Sequence, residues 1–140
     1  RSINVGGVVE VLRFAFAAGA SVGYVSSVAA LPVGVLTPED WIDMTPEQLD
    51  NLSGYGQTKA VAERLLKQAV DKGLRVRIFR CGDLSGDTRT GYFNRLDASH
   101  ALVKASVLLR AAVLPTGFQM GWLPGDVAAI AIVALTSALH

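Results

Sequence analysis

The run Gly54-Tyr55-Gly56-Gln57-Thr58-Lys59, continued through Glu63 and Leu66 to Gly73 and then Leu74-Arg75-Val76-Arg77-Ile78-Phe79-Arg80, decides the fold. Its first part places Val61, Ala62, Leu65, Leu66, Ala69 and Val70 at helical spacing, so one face of a helix is apolar. Gly73 stops that helix, and the residues after it alternate apolar with basic, as a strand does. The same order occurs upstream. Val5, Val8, Val9, Leu12 and Phe16 make the stripe of a helix over Asn4 to Ala18, and Gly19 ends it. Ser21-Val22-Gly23-Tyr24-Val25-Ser26-Ser27 then reads as a strand buried on both sides. Two helix, glycine, strand units in succession predict an α/β fold, a parallel sheet covered by helices, with ligands gathering beyond the C-terminal strand ends. Ser26, Ser27 and Cys81-Gly82-Asp83 lie at those ends.

Between the units, Leu31 to Ser53 is a long excursion with prolines at 32, 38 and 46. Thr45-Pro46-Glu47-Gln48 supplies a capping hydroxyl, a proline at the first helical position and a glutamine two residues further on, which start a short helix ending near Leu52. Trp41 and Met44 either cover a substrate or anchor this loop to the core. Gly82 to Asp97 reads as a loop over the site, and Ala101 to Leu114 as a helix stopped by Pro115. Val127 to Leu139 is an uncharged helix with Asp126 as its N-cap, and a helix apolar all round is expected to be buried.

Composition excludes several classes. Apolar residues are 51% and charged residues 18%, so a core is available and disorder is not expected. The formal net charge of +1, with both signs interspersed, gives no reason for a nucleic-acid or anionic-membrane partner. A single cysteine, Cys81, rules out an internal disulfide and fits a reducing compartment such as the cytoplasm. Cys81, His100 and His140 have no metal-ligand spacing, so no structural metal is expected. The apolar run from Val127 to Leu135 is shorter than the roughly 20 residues a transmembrane helix needs. The N-terminus has no signal-peptide pattern and no initiator methionine, and the chain reads as part of a longer protein.

Tyr55 and Lys59 stand at i and i+4 and share a helix face. A phenol with an ordinary pKa of about 10 needs its anion stabilised by roughly 4 kcal/mol to exchange protons readily near neutrality. A lysine charge about 5 Å away, at an effective dielectric of about 20, supplies roughly 3 kcal/mol. The pair can be an acid and its tuner. By itself it is also what an exposed aromatic and a solvated lysine look like, so the surrounding residues decide.

Those residues resemble the extended short-chain dehydrogenase/reductases, and within them the thioester reductase domains of nonribosomal peptide and polyketide synthases and of carboxylic acid reductases. The likeness covers nearly the whole chain. It is carried by Asn4-Val5-Gly6-Gly7 with Glu10 to Arg13, Tyr24-Val25-Ser26-Ser27, Gly54 to Lys59 with Ala62-Glu63, and Phe79-Arg80-Cys81-Gly82-Asp83-Leu84 to Asp87. Gly91, Asn94, Asp97 and Trp122-Leu123-Pro124 continue it.

The resemblance implies the C-terminal part of a Rossmann-like parallel sheet with flanking helices, plus part of a small substrate-binding region. It implies hydride transfer from NADPH, with NADH left open, to an acyl thioester on the phosphopantetheine arm of an acyl or peptidyl carrier protein, releasing an aldehyde. In the family's roles Tyr55 donates a proton, Lys59 holds the nicotinamide ribose, and Ser27 hydrogen-bonds the substrate oxygen. Cys81, Gly82 and Leu84 pass the nicotinamide mainly through backbone groups. Asn4 either touches the site or caps a helix end, and His100 carries no chemistry.

No Gly-x-x-Gly-x-x-Gly phosphate loop occurs, so residues 1–140 are expected to be the catalytic half of such a domain, binding NADPH poorly and inactive by themselves, while the full domain is a reductase. Among rival readings, a nucleotide-sugar epimerase or dehydratase is disfavoured because Ser27 is followed by Val28-Ala29-Ala30 rather than an aromatic-Gly step. A fatty acyl-CoA reductase or a non-catalytic Rossmann-like module remains open.

Overall fold

The computed structural model describes residues 2–34, 39–111 and 121–137, which fall into two compact units, Arg1–Cys81 with Ala134–His140, and Gly82–Val133. In the first unit a π-helical turn, Ser2–Gly6, leads into helix α1, Gly7–Ala18. Gly19 ends α1 in the left-handed region at φ 61°, where its N–H reaches the carbonyls of Ala15 and Phe16. The core stripe of α1 is Val8, Leu12 and Ala15. Phe16, expected inside, is 43% exposed, because at 100° per residue it stands about 80° round the helix from Val8, whereas Ala15 stays within about 20°.

Strand β1, Val22–Ser27, runs into a 3-10 turn, Val28–Ala30. Helix α2, Pro46–Asp50, carries the expected capping box, Thr45 Oγ1 accepting from Gln48 N–H and Gln48 Oε1 from Thr45 N–H. Helix α3, Gly54–Asp71, begins under Ser53, whose hydroxyl accepts from Gly56 N–H, and Gly73, at φ 91°, follows its end. Strand β2, Val76–Cys81, lies parallel to β1 in a register that pairs Val22 with Val76 and Ser27 with Cys81, so both strands finish at the same edge. Residues from α1, β1, α3 and Leu74 form one core, with Ala62 and Leu66 at 0% and 1% exposure. The helices thus cover one face of the pair. On the other face Val25 is 45% exposed, which corrects the expectation of a strand buried on both sides. Strand side chains alternate, and α1 and α3 cover only one set.

The second unit holds two short strands that sequence patterning does not reveal, β3, Asp83–Ser85, and β4, Trp122–Pro124, paired in parallel. Three residues are too few to show alternation. Asp87 organises the following turn by accepting from Arg89 N–H, Thr90 N–H and the Thr90 hydroxyl, bonds that hold its carboxyl below the ordinary range, those from Thr90 most. Helix α4, Ala98–Leu109, is capped by Asp97 and closed by Arg110 at φ 51°, so it starts before the expected Ala101 and ends short of the expected Leu114; Pro115 itself lies outside the described residues. Helix α5, Gly125–Ser137, starts one residue before Asp126. The Asp126 carboxylate takes the hydroxyl and N–H of Thr88, at 2.5 and 3.2 Å, instead of acting as the N-cap. Burial of α5, expected from its composition, is not found: Ala128 is buried, but Ile130 is 70% and Val133 65% exposed. Among the described residues no helix is long and apolar enough to cross a membrane.

Candidate active site

The shared end of β1 and β2 meets the first turns of α3 in the first unit. Tyr24 and Ser26 point to one face of β1 by strand alternation, and that face lies under α3. Ser27, next along, ends the strand with extended backbone and turns its hydroxyl to cap the 3-10 turn, its Oγ accepting from Ala29 N–H at 3.2 Å. The hydroxyl hydrogen is not used in that bond, so Ser27 can still donate to a ligand oxygen.

Gly56 fixes how closely Tyr55 approaches this turn. A Cβ at Gly56 would lie 2.2 Å from the Ala29 carbonyl oxygen and 3.2 Å from its carbon. Only a residue without a side chain lets the head of α3 sit on the backbone just beyond Ser27. Tyr55 itself is 52% exposed and so open to a ligand.

Lys59 reaches across from α3 to the strand. Its Nζ donates to the Val25 carbonyl at 2.8 Å and lies 4.9 Å from the Tyr24 ring centroid and 5.8 Å from that of Tyr55. The separation from Tyr55 matches the helical-face expectation. Burial lowers the Lys59 pKa from its ordinary value, while the charges of Glu63 and then Cys81 oppose the lowering. Tyr24, which sequence reading did not single out, shares the ammonium with Tyr55; burial first, then Glu63 and Tyr55, raises its phenol pKa.

Cys81 stands opposite Ser27 at the end of β2 and is half-buried. Gly82 and Leu84 belong to the second unit. Asn4 does not cap a helix end: its amide donates to Thr58 Oγ1 at 3.0 Å, and Thr58 donates to the Tyr55 carbonyl at 2.8 Å, so it braces the turn that carries Tyr55. His100 packs on Phe93 with ring centroids 4.6 Å apart. Of the two roles open for the excursion, Met44 takes the anchoring one. Met44 is buried against Ala30 and Ala60, with its carbonyl held by Arg64, whereas Trp41 stays 40% exposed beside an open cleft of ≈ 460 Å³.

Sequence reading missed a buried charge network under this edge. Ser26 donates to Glu63 Oε1 at 2.5 Å, and Arg80 pairs with Glu63 through Nη2 at 2.7 Å and through Nε, with side-chain exposures of 10% for Arg80 and 9% for Glu63. Arg80 also donates to the Asp40 carbonyl of the excursion. The available signal was Glu63 at i+4 from Lys59, on the helix face shared by Tyr55 and Lys59.

Residues 1–132 match the NAD-binding family model described as "Male sterility protein". The chain is 39% identical over 140 residues to glycine betaine reductase ATRR of Emericella nidulans, covering 98% of this chain and 11% of that protein. It is 34% identical over 137 residues to an isonitrile lipopeptide synthase of Streptomyces coeruleorubidus, covering 97% of this chain and 9% of that one. Among solved structures it superposes on the terminal R domain from the myxalamid PKS-NRPS biosynthetic pathway with a TM-score of 0.86 and 36% identity, over 96% of this chain and 34% of that chain. This likeness establishes the Rossmann-like α/β class, represented here in part.

Proposed function

The chain belongs to the NAD-binding family described as male sterility protein, and from that premise we propose that it carries the catalytic edge of an NADPH-dependent thioester reductase. The reaction is R–CO–S–R′ + NADPH + H⁺ → R–CHO + HS–R′ + NADP⁺, with the acyl group on the phosphopantetheine arm of an acyl or peptidyl carrier protein. The observation that carries this reading is the juxtaposition at one strand edge of a donor hydroxyl on Ser27, an exposed phenol on Tyr55 and the Lys59 ammonium 5.8 Å from the Tyr55 ring.

The residues present fit the nicotinamide ribose end of a dinucleotide, because Lys59 offers a half-exposed cation beside an exposed tyrosine. Tyr55 and Lys59 would hold it, with the backbone of Cys81 at the end of β2. When bound, the reduced nicotinamide supplies the hydride. Ser27 donates to the thioester oxygen as negative charge grows there, and Tyr55 delivers the proton, a role that typically contributes a factor of about 10²–10⁴. Lys59 steadies the phenolate left behind. A single free cysteine supports the cytoplasm as the compartment.

In the full-length protein we expect Tyr55→Phe to lower turnover of an acyl-pantetheine thioester by about 10²–10⁴-fold. The urea midpoint should hold, since an exposed hydroxyl is removed. Unchanged turnover would remove the proton-donor role.

Residues 1–140 are, on this reading, the catalytic part of a larger domain. Their span of 34% of the matched R-domain chain supports this. So does the absence of a glycine-rich phosphate loop, the usual pyrophosphate grip. Fluorescence titration of the 140-residue chain with NADPH should give a dissociation constant weaker than about 100 μM, and micromolar binding would sink the assignment.

A further inference from the structure

We infer that Glu63 is a positioning residue of the Tyr55 site: through Ser26 it fixes the strand end that presents Ser27, and it sets a carboxylate one helical turn beyond Lys59. The inference rests on the reductase reading for its turnover arm only.

The geometry is specific. Ser26 is 3% exposed and Glu63 7%, and the hydroxyl of Ser26 is spent on Glu63 Oε1 at 2.5 Å. Strand alternation then forces Ser27 to the other face, so anchoring Ser26 also orients the hydroxyl that reaches the ligand. Arg80 occupies Glu63 from β2, with Nε 3.2 Å from Oε1 and 3.0 Å from Oε2, and Nη2 2.7 Å from Oε2. One carboxylate therefore ties β1, α3 and β2 at the edge where Ser27 and Cys81 end.

Stability alone does not account for such a group. A buried ion pair gains little over apolar side chains of the same volume, because both charges lose their hydration. Its distinctive effect is on neighbouring charge. The titratable or charged groups around the Lys59 amine are Tyr55 and Glu63 on α3, Tyr24 on β1, and Cys81 with the Glu63-bound Arg80 on β2. Burial disfavours the ammonium, and Glu63 is the leading influence that restores it. With Glu63 neutral, Lys59 should titrate at lower pH and support Tyr55 over a narrower range.

Two measurements test this. In the first, made in the full-length protein, Ser26→Ala, which leaves the Glu63–Arg80 pair intact, should lower kcat for NADPH and an acyl-pantetheine thioester about tenfold, the scale of one hydrogen bond to a charged group. KM should stay within about twofold, and Ser26→Thr should restore kcat, as a packing role for a small side chain would not. A kcat for Ser26→Ala within about twofold of the parent, or no restoration by Thr, overturns the link to Ser27. In the second, the lysines are labelled by ¹³C reductive methylation and the Lys59 resonance is titrated without cofactor. Its midpoint should move to lower pH in Glu63→Gln, and an unmoved midpoint overturns the link to Lys59. If the parent protein shows no turnover, the reductase reading fails, yet the Lys59 titration still decides its half; if Tyr55→Phe leaves turnover intact, only the proton-donor role fails. If Tyr55→Phe abolishes turnover while Ser26→Ala does not lower it, only the inference fails.

Discussion

Gly56→Ala should destabilise the protein by about 2 kcal/mol and cut turnover of the full-length protein by about 10²-fold, although alanine is the better helix former. In an open helix the substitution would gain about 1 kcal/mol. Here the new methyl would meet the Ala29 carbonyl oxygen at 2.2 Å, roughly 1 Å inside ordinary contact. Its opponent is backbone, not the end of a flexible side chain, so α3 or the 3-10 turn must move. Overpacking of this kind costs about 1–3 kcal/mol and outweighs the propensity gain. The same shift separates Tyr55 from Ser27, and a displacement near 1 Å at reacting groups costs about 10²-fold in rate. Gly54→Ala is the control, since a Cβ there meets nothing within 4 Å. Urea denaturation should lower the midpoint for Gly56→Ala and leave or raise it for Gly54→Ala. Equal midpoints would show that the helix does not sit on the turn as described.

The second large effect is expected at Arg80. Arg80→Met should cost about 3–5 kcal/mol, because it leaves the Glu63 carboxylate buried with only Ser26 donating to it. The double variant Arg80→Met/Glu63→Met should recover most of that loss, since removing both charges also removes both desolvation costs. The cycle of two single variants and the double, read by urea denaturation, isolates the coupling. Additive losses would mean that the two side chains do not act as a pair. The double variant would still lack the carboxylate beside Lys59, so recovered stability with depressed turnover would separate folding from positioning.

Much of this was legible from local pattern. The helix boundaries at Gly19, Gly73 and Thr45 follow from capping chemistry, which involves residues within a turn of one another. Parallel pairing followed from the repeated helix, glycine, strand order, and Tyr55 and Lys59 share a face because helical spacing requires it. What was not legible depends on contacts distant in sequence. Ser26 and Ser27 look alike in the chain, yet one is buried on Glu63 and the other caps a turn at the edge. The three-residue strands, the exposure of Val25 and the outward-facing Ile130 and Val133 escaped for the same reason.

The sequence by itself therefore determined the main helices and the two longer strands, and that a tyrosine and a lysine lean toward one point. Periodicity and capping are local and need no knowledge of partners. Only the tertiary structure decided that Gly56 must be glycine, that Glu63 is held by Ser26 and Arg80, and that Lys59 lies between two tyrosines. Those facts depend on which faces meet across elements, and composition along one segment does not encode its neighbour.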